Sequence, residues 1–216
     1  MNFIQFIKKH RNVLLFFTAV FFQAVVFVFL LLQTSFIKKS SVENNRIYTF
    51  ECDFSDPFDF MKGHYLSLNI KQAQVKTSEL DEETFAQLDL NKTRRIVYLV
   101  VEPDQNGIWN VKGIRKEKPS ESCNFIKAKI KRTSYGDSQD KTVYLDFLFN
   151  DYYMQENLSL YVDSLDNLDE KKPVLKLYSD KNGNSIQQGL YVLNDDNEYI
   201  RIEDFAVAMK KAELAQ

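Results

Sequence analysis

A run of twenty residues without a charge, Val13 to Leu32, constrains this chain more than any other feature of its sequence. Sixteen of these residues are Val, Leu or Phe, two are Ala, and only Thr18 and Gln23 are polar. As a helix, twenty residues span about 30 Å, which matches the hydrocarbon core of a bilayer. The run therefore predicts a transmembrane signal-anchor helix over residues 13–37, preceded by a cytoplasmic tail of residues 1–12.

A cleaved signal peptide is the alternative interpretation of the same run. Its apolar region would be about 7–15 residues long and would be followed by small residues of the A-x-A type. This run is longer, and residues 33–39 read Gln-Thr-Ser-Phe-Ile-Lys-Lys, without such a site. The pattern favours an anchor that is retained.

Gln23 lies near the middle of the predicted span. It is either a tolerated polar residue or a hydrogen-bonding contact to a partner helix, which would contribute about 1 kcal/mol. The sequence leaves both interpretations open.

The charges divide the chain into two parts. Residues 1–39 contain five basic residues and no acid, so residues 40–216 hold the remaining 23 basic and all 30 acidic side chains, a net charge of −7. Three of the five basic residues precede the apolar run, which favours a cytoplasmic N-terminus. An acidic domain without a basic stripe disfavours a nucleic-acid partner.

Residues 40–216 are expected to form one extracytoplasmic α+β domain, rich in antiparallel hairpins, with two or three short helices. Alternating apolar and polar residues, or dense β-branched runs, predict the strands 47–54, 64–75, 96–102, 108–114, 126–131, 143–149, 174–178 and 186–193. Three hairpins follow, and Asn106-Gly107 is a strong signal for the first of them, because both positions tolerate positive φ. Helices are expected near residues 79–88, 158–168 and 203–214, with Asn157 as the N-cap of the second.

Residues 56–65 read Asp-Pro-Phe-Asp-Phe-Met-Lys-Gly-His-Tyr and are expected to form a rigid corner before a strand. Pro57 fixes φ, Asp59 can cap one helical turn, and Gly63 can end it in the left-handed conformation. The corner and the strand after it resemble the GDYXXLXY family of bacterial membrane-anchored proteins. The matching positions are Asp56, Pro57, Asp59, Lys62, Gly63, Tyr65 and Leu68, whereas His64 and Ile70 replace the Asp and the final Tyr of the motif.

Later segments resemble further blocks of the same family, in the same order, over roughly residues 10–193. These segments are residues 98–104, which include Glu102, the turn at 107–109, and residues 152–156, which end at Glu156. The resemblance implies a membrane-anchored protein, often encoded beside polytopic membrane proteins, and it implies no defined biochemical activity. The motif residues are therefore candidates for an interaction surface.

Catalytic chemistry has few candidates in this sequence. Paired carboxylates do acid–base work when one is buried and its pKa is raised, but Asp56 and Asp59 can equally bond backbone N–H groups, and Glu156 can cap a helix. His64 is the one His of the predicted domain, and no spacing demands a metal. We therefore expect no catalytic residue, metal or other cofactor.

Cys52 and Cys123 are the two cysteines of the chain. They either pair, if the domain lies in an oxidising compartment, or remain buried free thiols. The sequence does not decide between these alternatives.

The sequence as a whole predicts a single-pass envelope protein of the bacterial cytoplasmic (inner) membrane, with its C-terminal domain outside the cytoplasm. That domain is expected to bind or support another membrane or envelope protein, such as a polytopic one. The alternative is a membrane-anchored extracytoplasmic hydrolase that uses carboxylates or His64 of the Asp56–Tyr65 corner. A small-ligand or carbohydrate module built on Trp109 is a third possibility.

Overall fold

One long helix leads into the β-rich part of the molecule. The structure, a computed structural model, describes residues 3–55, 58–59, 63–76, 78, 95–135, 141–163, 171–194 and 196–214. Helix α1 comprises Phe3–Glu43 and is continuous over its 41 residues. Its segment Leu15–Glu43 has a mean hydropathy of 2.7 in its most apolar part, and it is long and apolar enough to cross a membrane. The large apolar side chains of this span, such as Phe21 and Phe29, are exposed.

The strands form two larger sheets and one small one. In chain order they are β1 Ile47–Ser55, β2 Phe58–Asp59, β3 Gly63–His64, β4 Leu66–Ile70, β5 Gln74–Lys76, β6 Ile96–Pro103, β7 Trp109–Arg115, β8 Phe125–Tyr135, β9 Lys141–Phe147, β10 Asp151–Tyr152, β11 Val174–Ser179, β12 Ser185–Leu193 and β13 Tyr199–Arg201. Six strands follow the order β10-β4-β1-β11-β12-β13, five follow β5-β9-β8-β6-β7, and β2 pairs with β3. The described pairs are all antiparallel.

Two short helices complete the domain. Helix α2 comprises Glu156–Asp163 and helix α3 comprises Ile202–Leu214. Asn157 lies inside α2 rather than at its N-cap, because the helix begins two residues earlier than the sequence suggested. The helix expected at residues 79–88 lies outside the described residues. The predicted fold class, an N-terminal apolar helix followed by a β-rich domain of antiparallel hairpins with short helices, is confirmed.

The two larger sheets share one hydrophobic core. Buried side chains from both sheets, and from α2 and α3, form a single cluster. Ring contacts cross between the sheets: Tyr48 lies 4.6 Å from Trp109, and Phe50 lies 5.8 Å from Phe147, between ring centroids. Trp109 therefore packs against a core residue, which gives it a structural role.

The three hairpin turns at residues 104–108, 180–184 and 194–198 share one geometry. In each, the first residue, Asp104, Asp180 or Asn194, exchanges backbone hydrogen bonds with the fourth and fifth residues, and its side-chain oxygen accepts the N–H of the fifth. The fourth residue has positive φ: 78° at Gly107, 77° at Gly183 and 60° at Asn197. This is a type I turn closed by a G1 bulge. The hairpin at Asn106-Gly107 was predicted correctly, but only Gly107 adopts positive φ.

The strand expected over residues 64–75 is divided. β4 belongs to the six-stranded sheet and β5 to the five-stranded sheet, and a 3₁₀ turn at Lys71–Ala73 separates them. The alternation breaks at Lys71-Gln72 and resumes out of phase at Ala73 and Val75. That break marks the change of sheet, and the prediction of one strand passed over it.

Candidate functional site

The strand of the family motif contributes its apolar residues to the core. Leu66, Leu68 and Ile70 of β4 are buried, at 0%, 5% and 2% exposure, whereas Ser67 and Asn69 point outward. This alternation confirms the prediction of one buried face. Ile70, which stands where the motif has Tyr, fits because the position faces apolar neighbours.

A second block of the resemblance lies beside this strand. β10 pairs with β4, so Asp151 is opposite Ser67 and Tyr152 is opposite Leu66. The rings of Tyr65 and Tyr153 lie 5.8 Å apart at 32°. We call the surface formed by β3, β4, β10 and the start of α2 the motif edge. The structure thus brings together two blocks that lie about ninety residues apart in the sequence.

Tyr152 ties the motif edge to the C-terminal helix. Its hydroxyl donates a hydrogen bond of 2.5 Å to Glu203 Oε1 at the start of α3. Burial and the neighbouring Glu203 carboxylate raise the pKa of Tyr152 to about 12. The phenol therefore stays protonated at physiological pH and acts as a structural donor.

The corner before β4 is described only in part. Asp56, Pro57 and Lys62 lie outside the described residues, as does the helical turn expected over residues 60–62. Asp59 and Gly63 face each other in the β2–β3 pair, so Gly63 begins a strand and Asp59 ends one. Helix α2 lies beside β3 and brings the Glu156 and His64 segments together. The side chains of Asp59, His64 and Glu156 lie outside what the structure describes, so the proposed hydrolase cleft stays a hypothesis.

Glu102 lies in a different sheet from the motif strand β4. It is exposed near the end of β6, in the five-stranded sheet, where it is paired with Asn110. Its neighbour Asp104 accepts hydrogen bonds from the N–H groups of Asn106 and Ile108, at 2.8 and 3.0 Å. Asp104 therefore shapes the turn, as an Asx residue does in many hairpins.

A polar groove of about 390 Å³ lies where the two sheets meet. Its lining residues are Glu51, Lys71, Gln72, Gln74, Val75, Asn110, Val111 and Lys112. Lys71 Nζ lies 3.7 Å from both Glu51 Oε2 and Asp53 Oδ1. Sequence reasoning missed this groove, because its lining residues come from three separate stretches of the chain, at position 51, within residues 71–75 and at residues 110–112.

The C-terminal end of α1 is built into the domain. Asn45 has a φ of 51°, its N–H bonds Val42 O at 3.3 Å, and the N–H of Arg46 bonds Ser41 O at 2.8 Å. This is the Schellman arrangement that ends a helix, with Asn at the left-handed position. The chain then turns directly into β1.

Buried polar contacts fix this helix end against β11. Ser41 Oγ donates a hydrogen bond to Arg46 O at 2.5 Å. The N–H of Ser179 donates to both Ser41 Oγ and Arg46 O, each at 3.0 Å. Within the described ranges, the buried polar and charged residues are Ser40, Ser41, Arg46, Ser179 and Asp180. All five belong to this junction or to the turn that follows Ser179. We call them, with Ile37, the helix–domain junction.

Arg46 links the junction to the five-stranded sheet. The residue is 5% exposed, Nη2 donates to Glu121 O at 2.6 Å, and Cζ lies 5.1 Å from the Phe125 ring centroid. Tyr48 lies beside this guanidinium, and its burial raises its pKa to about 12. Sequence reasoning missed Ser41 and Arg46, because no motif or periodicity marks them.

Gln23 and the two cysteines can also be located. Gln23 is exposed on the apolar helix. Both cysteines are free: Cys52 is fully buried in β1, and Cys123 is half-buried before β8. Burial raises the pKa of the Cys52 thiol to about 12, so it is unreactive in the folded protein. Within the ranges described above, no cluster of three His, Cys, Asp or Glu side chains is arranged to hold a metal.

The chain matches a known protein family over most of its length. The family model described as "GDYXXLXY protein" matches residues 23–190, more than three quarters of the chain. The chain belongs to the GDYXXLXY family. The match begins at Gln23, in the middle of the apolar run, and includes β1, the motif strand and the Tyr152–Tyr153 block. No curated protein and no solved structure matches the chain.

Proposed function

We propose that this GDYXXLXY protein is a single-pass membrane-anchored protein whose domain is held close to the membrane surface to bind another membrane or envelope protein. One observation carries the proposal: α1 continues without a break from its apolar span into the helix–domain junction. Membrane tethering and domain position are therefore set by the same element.

The rigidity of the connection supports a role in protein binding. Ile37 and Ser41 are 5% and 0% exposed, so the last turns of α1 pack as part of the domain. A flexible tether would keep the domain at the membrane equally well. A fixed connection reduces the entropy that the domain loses when it meets a partner at a set height and orientation. Such a partner would be another component of the same membrane or envelope.

The segment after the apolar run supports an anchor that is retained. Helix α1 continues through residues 33–39, where a signal peptidase would have to cut, and these residues lack a site of the A-x-A type. This argues against the signal-peptide alternative.

The proposed location is the bacterial inner membrane, with residues 1–12 in the cytoplasm and the domain outside it. The bias of basic residues around the span supports this orientation. A membrane-impermeant thiol reagent applied to intact cells tests it, since Cys123 is half-buried and Cys52 is protected by burial. Labelling of Cys123 in intact cells supports the orientation; labelling only after the membrane is broken contradicts it, provided that Cys123→Ser abolishes the signal.

Crosslinking in intact cells tests the partner. A photoreactive residue is placed at Gln23 in the span and, separately, at Tyr153 on the motif edge, and captured proteins are identified after mild-detergent purification. We expect one membrane or envelope protein to recur at one or both positions. If the chain is recovered alone from both positions and by co-purification, the proposed function is wrong.

A further inference from the structure

The side of α1 that packs on the domain can be followed down into the apolar span. Ile37 and Ser41 are 5% and 0% exposed where α1 meets β11 and β12, whereas the side chain of Lys39, on the opposite side of the helix, is 77% exposed. α1 is one uninterrupted helix, so each residue points about 100° away from the one before it. Ala19 precedes Ile37 by eighteen residues, which is about five full turns. Ala19 therefore points to the side on which the domain lies.

A stripe of residues in the span shares this direction. Counted from Ala19, they follow at alternating spacings of four and three, which keeps them within about 40° of the direction of Ile37. The spacing is that of a helix seam that packs against another helix. We call these residues, which are all exposed, the domain-side stripe: Ala19, Gln23, Val26, Leu30 and Gln33.

The domain-side stripe differs in composition from the rest of the span. Seven Phe lie between residues 16 and 36, and none of them belongs to the stripe. The stripe instead holds Ala19, which is one of the two Ala of the apolar run, and the amides of Gln23 and Gln33. Interfaces between transmembrane helices are enriched in small residues, which let the backbones approach, and in polar side chains that hydrogen-bond across helices. The stripe therefore has the composition of such an interface, whereas the Phe-rich sides suit contact with lipid.

We propose that the domain-side stripe binds one transmembrane helix of another membrane protein, which lies beneath the domain and ends there in a short loop. The inference rests on the proposed function, because it assigns a binding surface for the partner. Gln23 lies near the middle of the span, at a depth where no water is present to bond its amide. A polar side chain of the partner helix at the same depth supplies that hydrogen bond.

The position of the domain sets the height at which the bound helix must end. Leu32 is the last residue of the apolar run, and Ile37, where the domain begins to cover α1, lies about 7.5 Å further along the axis. The headgroup layer accounts for about 5–7 Å of that distance. A helix that continued further on this side would run into the domain. The bound helix must therefore turn at the membrane surface.

The same geometry argues against a second copy of this chain as the occupant. α1 continues without a break to Glu43, and the domain packs on its stripe side. All copies insert with the same orientation, so a second α1 on the stripe would bring its upper turns and its domain into the space that the first domain fills. A helix of a different protein, followed by a loop rather than by a domain, meets no such obstacle.

Photocrosslinking from two matched positions tests the direction of binding. In the full-length chain in its own membranes, a photoreactive residue replaces Val26 on the stripe or, as the control, Val28, which points about 200° away from Val26. Both valines are exposed, at 43% and 52%, and they lie at nearly the same depth. We expect position 26 to capture a helix of another protein at least about tenfold more strongly than position 28, which faces lipid.

Three results of this experiment would overturn the proposal. The first is equal capture from positions 26 and 28, and the second is capture of another copy of this chain. The third is capture of a helix that continues beyond the membrane surface on the side of the domain.

Two valine-to-phenylalanine substitutions test whether close approach at the stripe is needed. Val26→Phe places a bulky ring on the stripe and should lower co-purification of the partner by about five- to hundredfold. The matched control, Val28→Phe, adds the same ring to a Phe-rich side and should change it by less than about twofold. Gln23→Leu removes the amide and should lower co-purification by about three- to twentyfold. Thermal unfolding verifies that the variants fold, and equal losses for the two Phe variants would contradict the assignment.

The outcomes separate this inference from the proposed function. If position 153 captures a partner while positions 23 and 26 capture none, the stripe is not the binding surface and the proposed function stands. If positions 23, 26, 28 and 153 all capture nothing, the proposed function falls as well.

Discussion

The helix–domain junction and the motif edge stabilise the molecule in different ways. At the motif edge, Leu66 and Leu68 are buried among apolar neighbours, and their regular spacing marks a strand with one core face. At the junction, Ser41 and Arg46 are buried through directed hydrogen bonds, and nothing in their spacing marks them. The difference shows that a family motif can mark packing, whereas the position of the domain relative to α1 depends on polar residues outside the motif.

This difference can be tested by substitutions at each region. Apolar burial is non-directional and scales with the area removed from water. Buried hydrogen bonds contribute less in net terms but are costly when one partner is removed. The predictions below concern the free energy of unfolding of the full-length protein in detergent, from the largest change to the smallest.

Leu66→Ala at the motif edge is expected to have the largest effect. Leu66 is fully buried, and truncation of such a leucine costs about 2–5 kcal/mol through lost burial and the cavity left behind. The matched control is Ser67→Ala, the outward-facing neighbour, which should change stability by less than about 1 kcal/mol. Chemical denaturation measures both. Similar losses for the two variants would contradict a core role for the motif strand.

Arg46→Ala at the junction is expected to cost about 2–4 kcal/mol. The substitution removes the hydrogen bond to Glu121 O and the contact with the Phe125 ring. Lys39→Ala, at an exposed position near the end of α1, is the control and should have almost no effect. Hydrogen exchange should also increase at the amide of Ser179, which bonds to Arg46 O. Unchanged exchange there would show that the junction does not depend on Arg46.

Tyr153→Ala should cost about 0.5–1.5 kcal/mol, the contribution of one aromatic pair. Tyr153 is 56% exposed, and its described ring contact is with Tyr65. Tyr153→Phe retains the ring and should restore stability. If the Ala variant loses partner crosslinking from position 23 while the Phe variant keeps it, the motif edge takes part in binding. A loss of stability as large as that of Leu66→Ala would contradict the partly exposed position of Tyr153.

The alkaline titration comes last because the ionisation of buried tyrosines has no effect on the free energy of unfolding at neutral pH. Tyr48 and Tyr152 have pKa values raised to about 12, from an ordinary value of 10.0, mainly by burial. Because the folded state favours the protonated phenols, their contribution to stability is present below pH 10 and is lost as the pH rises towards 12. Burial also raises the pKa values of Tyr191 and Tyr199, so phenolate absorbance should show a group of late-titrating tyrosines, and Tyr152→Phe should remove one of them. If all tyrosines titrate together before the protein unfolds, the hydroxyls of Tyr48 and Tyr152 are not buried as described.

Much of the fold could be predicted because its signals are local. The apolar run predicted α1, and the Asp-x-Asn-Gly segments at 104–107 and 180–183 predicted two hairpins. The turn type at 104–108 was not predicted, because it depends on the Asp104 side chain, which accepts the N–H groups of Asn106 and Ile108. The strand at 64–75 was not divided, because the prediction passed over the break in alternation at Lys71-Gln72 that separates β4 from β5.

The candidate sites were less predictable. The resemblance pointed to Tyr65 and to the Tyr152–Tyr153 block, yet only β4–β10 pairing shows that they form one surface. The groove depends on the order of strands in the five-stranded sheet, which brings β5 and β7 to the same opening. No single segment of the sequence reveals this strand order, since each strand that lines the groove has the alternating pattern of any half-buried strand.

The sequence by itself determined the apolar helix, the alternation of the strands and the family to which the chain belongs. These follow from composition and from periodicities of two or about 3.6 residues, which any segment expresses without the rest of the chain. Only the tertiary structure decided that α1 continues into the domain and is held there. That contact joins Ser41 to Ser179, 138 residues apart, and a hydrogen bond across such a separation depends on how the sheets pack.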